Sequence, residues 1–539
     1  MTYGKLQKIN AINYFKANKE FISLVVISCF TAFFFVFKGI AGGDSIRYLL
    51  GLQTVIEKGI MQIAYVFNGE MCFGYYLLLS FLDKLLGDFV SLSSLMNNLN
   101  AATSVVLQCS LFLFLNSLYS NKKLSFFTCM AVLLSPSIWI LSHYGNPGLL
   151  SLTFFISSLL VYDKIIRRKP TKQRSGFLWL FFIILSTIAV AIRLDIVLAF
   201  GAYFGLLYFR RALSIPNSFK TFGALIIVLF FLLGLRYFVL GYLINPSDGT
   251  FAAHIATRLE PEFIIRNIIK NYTVWALSLN LLIVFFAGLG LVRQGFMSKL
   301  GVLLFSWIIP WNIIFVFRGM DISRIIAPTI PIVSLVAVVY VISIFKKRQV
   351  LALSLMLILM HITAMALYYP LSKVYPFKKE IDGRVLATFP IGSFLVDHYY
   401  RQRAITVHEH IAKLITSEID VNVMIIGGDG LGYYKLYLNQ FRNVLSIKTM
   451  TFNGVILVKY TTTENEFYIL DLNRNWLVEN PIRMAIDYMN GSQIKIHIVP
   501  FWKEYPTYKG ELFLAKQAIQ SVLDSEASIM KVRKKMIHY

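Results

Sequence analysis

Eleven apolar runs divide the first 369 residues of this chain: 21–37, 95–118, 124–141, 149–162, 176–192, 196–209, 222–243, 272–292, 300–317, 325–345 and 350–369. Each is long enough, or nearly so, to cross roughly 30 Å of hydrocarbon as a helix. Of the 539 residues 57% are hydrophobic and only 15% are charged. A soluble core cannot hide that much apolar surface, whereas a bilayer can. The expected fold is therefore a polytopic α-helical membrane protein with about 11 transmembrane helices.

The first run follows Lys5, Lys8, Lys16 and Lys19, has no small-residue cleavage site after it, and is succeeded by further runs. It reads as a retained helix rather than a removed signal. The net charge of +24 is spread over short connections: Lys122-Lys123, Lys164 to Arg174, Arg210-Arg211, Arg293 to Lys299 and Lys346 to Arg348. Scattered in this way, the basic residues form no nucleic-acid footprint. Short connections rich in Lys and Arg stay on the cytoplasmic side, so these clusters set the orientation, with a cytoplasmic N-terminus.

A further apolar stretch, residues 71–86, is short and ends in Asp83-Lys84. If it crossed, every later basic connection would fall outside. It is read as a horizontal or re-entrant helix within one long external loop, residues 38–94. An odd number of spans then places everything after residue 369 outside. The expected organisation is a transmembrane domain, residues 1–369, and an extracytoplasmic C-terminal domain, residues 370–539.

That tail changes composition. Runs of alternating and β-branched residues at 421–426 and 454–460 read as strands, and 510–523 as a helix, so a small α/β or α+β domain is expected. Gly427-Gly-Asp-Gly-Leu-Gly432 lacks the spacing of a dinucleotide loop and any Walker Lys-Ser/Thr, and reads as a turn. His408-Glu-His410 lacks the i, i+4 histidines of a zinc protease helix. Of the four cysteines, Cys29, Cys109 and Cys129 lie in apolar runs and Cys72 is alone on its loop, so neither a disulfide framework nor a cysteine zinc site is expected.

Ionisable residues crowd the external connections. The first loop carries Asp44, Arg47, Glu57 and Glu70, and the second, Ser142-His-Tyr-Gly-Asn-Pro-Gly148, carries His143 and Asn146. The third is Arg193-Leu-Asp195, the fourth, residues 245–271, includes His254, and the fifth reads Arg318-Gly-Met-Asp-Ile-Ser-Arg324. Charges at helix ends that face a bundle are costly and mark substrate paths. A carboxylate with several cations suits a hydroxyl losing a proton while a phosphate leaves. Each residue also has a plainer role open to it. Asp44 would cap a helix starting at Ser45, Arg193 and Asp195 would form a structural pair at a tight turn, Arg318 and Arg324 would snorkel, and His143 would be a satisfied polar residue.

The order of one helix, a long external loop with an early Asp and an in-plane helix, six more helices, a second sizeable external loop, further helices and an external C-terminal domain resembles the GT-C superfamily of membrane glycosyltransferases. Gly42-Gly-Asp-Ser-Ile-Arg-Tyr48 is similar to its acidic first-loop motif, Ser142 to Leu150 holds the position of its second-loop motif, and Arg318 to Pro328 is similar to its Arg-rich entry to a later helix. The layout is also similar to bacterial serotype-converting glucosyltransferases that decorate O-antigen. The resemblance implies inverting transfer from a polyprenyl-phosphate sugar donor to a glycan or glycolipid acceptor such as lipopolysaccharide, at a bacterial inner membrane. It implies Asp44 as the base and Arg193, Arg318 and Arg324 as phosphate ligands, with Arg47, His143, Asn146 and His254 as further site candidates. Asp44 is followed by Ser45, and Asn146 stands in the second loop. With one clear carboxylate a divalent-metal site is poorly supplied, and transfer without a metal or other cofactor is expected. A lipid-linked sugar flippase or other transporter would share the apolar content, but usually shows paired repeats and midplane sites. An O-antigen ligase or polymerase would use a lipid-diphosphate donor.

Overall fold

The computed structural model of the chain describes residues 18–37, 39, 43–66, 69, 71–143, 145–167, 172–240, 265, 268, 272, 275–276, 279–317 and 327–374, together with five strands of the tail. Two compact units are present. One comprises residues 1–37, 51–366 and 391–394, and the other residues 38–50, 367–390 and 395–539.

The helices, in chain order, are α1 (Lys19–Phe34), α2 (Gly43–Lys58), α3 (Phe73–Leu86), α4 (Leu92–Tyr119), α5 (Lys122–Leu133), α6 (Pro136–His143), α7 (Pro147–Arg167) and α8 (Lys172–Ile192). They continue with α9 (Gly201–Phe209), α10 (Ile215–Leu240), α11 (Leu281–Gln294), α12 (Lys299–Phe317), α13 (Ile330–Ile344) and α14 (Gln349–Val374). Three 3-10 turns, Ile60–Tyr65, Leu194–Ala199 and Ala327–Thr329, precede or interrupt them.

Every apolar run is helical over most of its length, and the chain is an integral membrane protein. Among the described residues four segments are long and apolar enough to cross a bilayer, Leu92–Tyr119, Pro147–Arg167, Ile215–Leu240 and Ala327–Ile344, or up to five if α5 and α6 count as one bent span. α1 has 16 residues, about 24 Å of helix.

The breaks have local causes. Residues 124–141, expected as one span, turn through 71° between α5 and α6. Pro136 brings no N–H and disfavours helical backbone at Ser135, whose hydroxyl donates to the Val132 carbonyl at 2.8 Å and helps close α5. Residues 272–292 restart at Asn280, whose φ is +93°. Its Oδ1 accepts from the Leu282 amide at 3.0 Å and its Nδ2 donates to the Met360 carbonyl at 2.7 Å. Residues 196–209 begin as the 3-10 turn Leu194–Ala199 before α9.

α4 is the axle of the first unit, packing on α1, α5, α6 and α7. Between membrane helices water supplies no hydrophobic drive, so close packing and side-chain hydrogen bonds hold the bundle. α4 presents a buried stripe of Asn97, Asn100, Ser104, Gln108, Leu111 and Leu115, recurring every three or four residues. Near its C-terminal end Ser117 donates to the Asp163 carboxylate, a group with no exposed surface. Arg210 reaches the same carboxylate from beyond α9 at 2.6 Å and 3.0 Å and also donates to the Ser117 carbonyl at 2.8 Å. Arg167 adds a contact at 3.1 Å. This cluster ties α4, α7 and the end of α9 together at the basic end of the bundle.

In the second unit five strands, β1 (Asn422–Gly427), β2 (Val444–Phe452), β3 (Val455–Thr462), β4 (Glu466–Asp471) and β5 (Ile494–Ile498), form one mixed sheet in the order β2-β3-β4-β1-β5. β1 runs parallel to both β4 and β5, with Met424 opposite Tyr468 and Ile496. β2, β3 and β4 are antiparallel. Both strands expected from the sequence, at 421–426 and 454–460, are strands here. The expected helix at 510–523 and the motifs at 408–410 and 428–432 lie outside the described residues.

Candidate functional site

At the end of the bundle opposite the Lys/Arg connections, segments of the first three loops are joined by hydrogen bonds, and the exit of the fifth lies against the third. The first hinge is Asn97, one turn into α4. Its Nδ2 donates to the Phe37 carbonyl at 3.0 Å, where the first loop leaves α1, and its Oδ1 accepts from the Gly145 amide at 2.9 Å, in the second loop. One turn further along, Asn100 Nδ2 donates to the carbonyls of Leu141 and Asn146 at 3.0 and 2.9 Å. Gly145 is needed for this approach, because a Cβ there would stand 2.7 Å from two atoms of the Met96 side chain.

The third loop joins on the other side. The Leu194 amide donates to the Met71 carbonyl at 3.0 Å, and Gly74 at the start of α3 lies so close to Ala191 that an added Cβ would meet its backbone at 2.7 Å. Ser151 on α7 donates to the Ala189 carbonyl at 2.8 Å. The turn Leu194–Ala199 touches Ala327–Thr329, the exit of the fifth loop, which also touches α7. Trp307 Nε1 holds the Pro328 carbonyl and Trp275 Nε1 the Thr329 hydroxyl, both at 2.9 Å.

The sequence candidates fall unevenly on this frame. Asp44 lies in the first turn of α2, which begins at Gly43 rather than at Ser45, so it is inside the helix and not the residue preceding it. Arg47 is exposed on the same helix. Arg193 grips Asp195 with two nitrogens, Nε to Oδ1 at 2.7 Å and Nη2 to Oδ2 at 2.7 Å, and both side chains are largely buried. That edge of the guanidinium is engaged by its own turn.

His143 is buried at the end of α6, with Nδ1 2.5 Å from the Trp139 carbonyl and Nε2 2.9 Å from the Thr31 carbonyl. With both ring nitrogens against backbone, it ties α6 to α1. Asn146 caps α7, its Oδ1 accepting from the Gly148 amide at 2.9 Å. Arg318, Arg324 and His254 lie outside the described residues.

Tyr75 and Tyr76 of α3 are buried beside this frame. Burial first, and then Cys72, pushes both phenols above the usual tyrosine range, so both remain protonated. Sequence reasoning missed Asn97 and Asn100. The available signal was two asparagines three residues apart, on one helical face, inside an apolar run.

No family model matches the chain, and no curated protein matches it. Among solved structures the chain is similar to ArnT from Cupriavidus metallidurans bound to undecaprenyl phosphate, with 13% identity, a TM-score of 0.45, and 78% of this chain and 76% of that one covered. The apo state of ArnT gives 14% and 0.45 over the same shares. The archaeal oligosaccharyltransferase AglB from Archaeoglobus fulgidus, in complex with an inhibitory peptide and a dolichol-phosphate, gives 11% and 0.43, with 78% of this chain and 64% of that one covered. The chain thus spans less than two thirds of the length of AglB.

Proposed function

We propose that this chain is a membrane glycosyltransferase of the GT-C kind, moving a sugar from a polyprenyl-phosphate donor to a glycan or glycolipid acceptor, such as lipopolysaccharide or O-antigen, outside a bacterial inner membrane. The observation that carries the reading is the set of bonds at the end of the bundle away from the basic connections, where Asn97 links Phe37 to Gly145 and the Leu194 amide donates to the Met71 carbonyl. By the charge rule this end faces outward. A rigid polar rim there suits a reaction at the headgroup level, where a lipid-borne donor must present its sugar without leaving the bilayer.

In the proposed step Asp44 accepts the proton of the acceptor hydroxyl while that oxygen attacks the anomeric carbon. The bond from that carbon to the phosphate oxygen breaks with its electron pair leaving on the phosphate, and the anomeric centre inverts. Arg318 and Arg324, with Arg193 as the third candidate, hold the departing phosphate, since a guanidinium fork matches its oxygens and stays charged. A single carboxylate in the first loop motif supports transfer without a divalent metal.

The test is a transfer assay on purified protein with a panel of polyprenyl-phosphate sugars. Asp44→Asn should lower turnover by about 10²- to 10⁴-fold with donor binding kept. Normal turnover in that variant would remove Asp44 as the base, and activity abolished by EDTA and restored by Mn²⁺ would overturn transfer without a metal.

A further inference from the structure

Asn146 has one arm of its amide fixed and the other unused. Its side chain has no exposed surface. Oδ1 accepts from the Gly148 amide, the backbone carbonyl of the same residue accepts from Asn100, and Nδ2 has no hydrogen-bond partner. A buried donor without an acceptor is costly, and a fold that keeps one calls for a reason.

Rotation does not relieve it. Exchanging the two amide arms would set N–H against the Gly148 N–H and uncap α7. Gln108, by contrast, has both amide atoms unpaired, so neither arm fixes its orientation. With Oδ1 held by the Gly148 amide, the side-chain amide of Asn146 stands at the N-terminal end of a 21-residue helix. That end carries the positive pole of the helix dipole, and Pro147 has no N–H to offer there. A fixed neutral donor at a positive helix end selects an oxygen bearing negative charge.

We propose that Nδ2 of Asn146, at the N-terminus of α7, donates a hydrogen bond to an anionic phosphate oxygen of the lipid-linked substrate. This rests on the polyprenyl-phosphate reading above and adds a ligand that the arginines do not supply. Arg193 already spends one edge on Asp195. Asn146 is neutral, so it binds the phosphate oxygen without strengthening its grip on the departing dianion as much as a cation would.

The experiment measures binding of a polyprenyl phosphate and of the matching polyprenol to the full-length protein in nanodiscs, for wild type, Asn146→Asp and Asn146→Ser. Both replacements retain a capping oxygen for the Gly148 amide, and neither has the amide donor. Thermal midpoints should stay near wild type, polyprenol binding should be unchanged, and polyprenyl phosphate should bind about tenfold more weakly or worse in both variants. Inorganic phosphate as competitor separates the two sources of the anion. Displacement lost in Asn146→Ser would show that the phosphate group alone suffices, and no displacement would show that the lipid-borne group is required. Wild-type affinity for polyprenyl phosphate in both variants overturns the assignment of Asn146 alone. A wild-type protein that prefers the phosphate no more than the alcohol overturns the polyprenyl-phosphate reading and this assignment with it.

Discussion

Asn97 accepts the Gly145 amide hydrogen at 2.9 Å across 48 residues of chain, and the same side chain donates to the Phe37 carbonyl at 3.0 Å. One amide thus sets the spacing between the exit of α1 and the loop before α7. Asn97→Ala removes both bonds inside a buried site, and the expected loss of stability is about 1–3 kcal/mol, read by thermal or denaturant unfolding in detergent. Asn97→Asp, which keeps the acceptor and loses the donor, should keep the Gly145 contact and lose the Phe37 one. Equal stability of Asn97→Ala and wild type would show that other bonds set the spacing.

The buried carboxylate of Asp163 is expected to distinguish its two arginines. Arg210 meets it with two nitrogens and has a side chain only 15% exposed, whereas Arg167 is 41% exposed. Arg210→Ala leaves a buried anion short of its main partner and should cost about 3–5 kcal/mol. Arg167→Ala removes a partner that water largely screens and should cost about 0–1 kcal/mol. Equal losses in unfolding experiments would contradict this ranking.

The membrane class and the position of nearly every helix were legible in the sequence, because burial in hydrocarbon demands long apolar runs and nothing else satisfies it. The breaks were less legible. Pro136 and Asn280 are single residues in otherwise continuous apolar stretches, and a tertiary partner such as the Met360 carbonyl, 80 residues away, leaves no trace in local pattern. The same holds at the candidate site. Asn97 and Asn100 bond to backbone carbonyls and amides, groups that every residue carries, so no spacing of side-chain types announces them. Arg193 and Asp195 were legible as a pair because they are two residues apart. Of the partners of Asp163 only Arg167, four residues on, lies within reach of local pattern, and Ser117 and Arg210 are 46 and 47 residues distant.

The Arg193–Asp195 pair should behave as a coupled structural unit. Both side chains are about nine-tenths buried, at 12% and 9% exposure, so removing one leaves the other charged and poorly solvated. In a double-mutant cycle Arg193→Ala and Asp195→Ala should each destabilise, and the double variant should lose less than the sum, with a coupling of about 1–3 kcal/mol. Strict additivity would mean that the pair contributes nothing as a pair. Arg193 would then be held by its further contacts in the turn.

Gly201 and Gly205, four residues apart on α9, face the same residue of α12. A Cβ on Gly201 would overlap the Ser306 carbonyl oxygen, and one on Gly205 would overlap the Ser306 hydroxyl, with the Leu303 Cα 3.1 Å away. Small residues at this spacing let two membrane helices approach closely enough for backbone packing. The two positions should nevertheless respond differently, because one neighbour is backbone and the other is a side-chain atom. Gly201→Ala forces the helices apart and should cost about 1–3 kcal/mol. Gly205→Ala meets chiefly an oxygen that a second substitution deletes, so adding Ser306→Ala should restore most of its lost stability. The same Ser306→Ala change leaves the backbone carbonyl in place and should do nothing for Gly201→Ala. If it rescued both variants alike, or neither, the clash would lie elsewhere than in the contacts of α9 with Ser306.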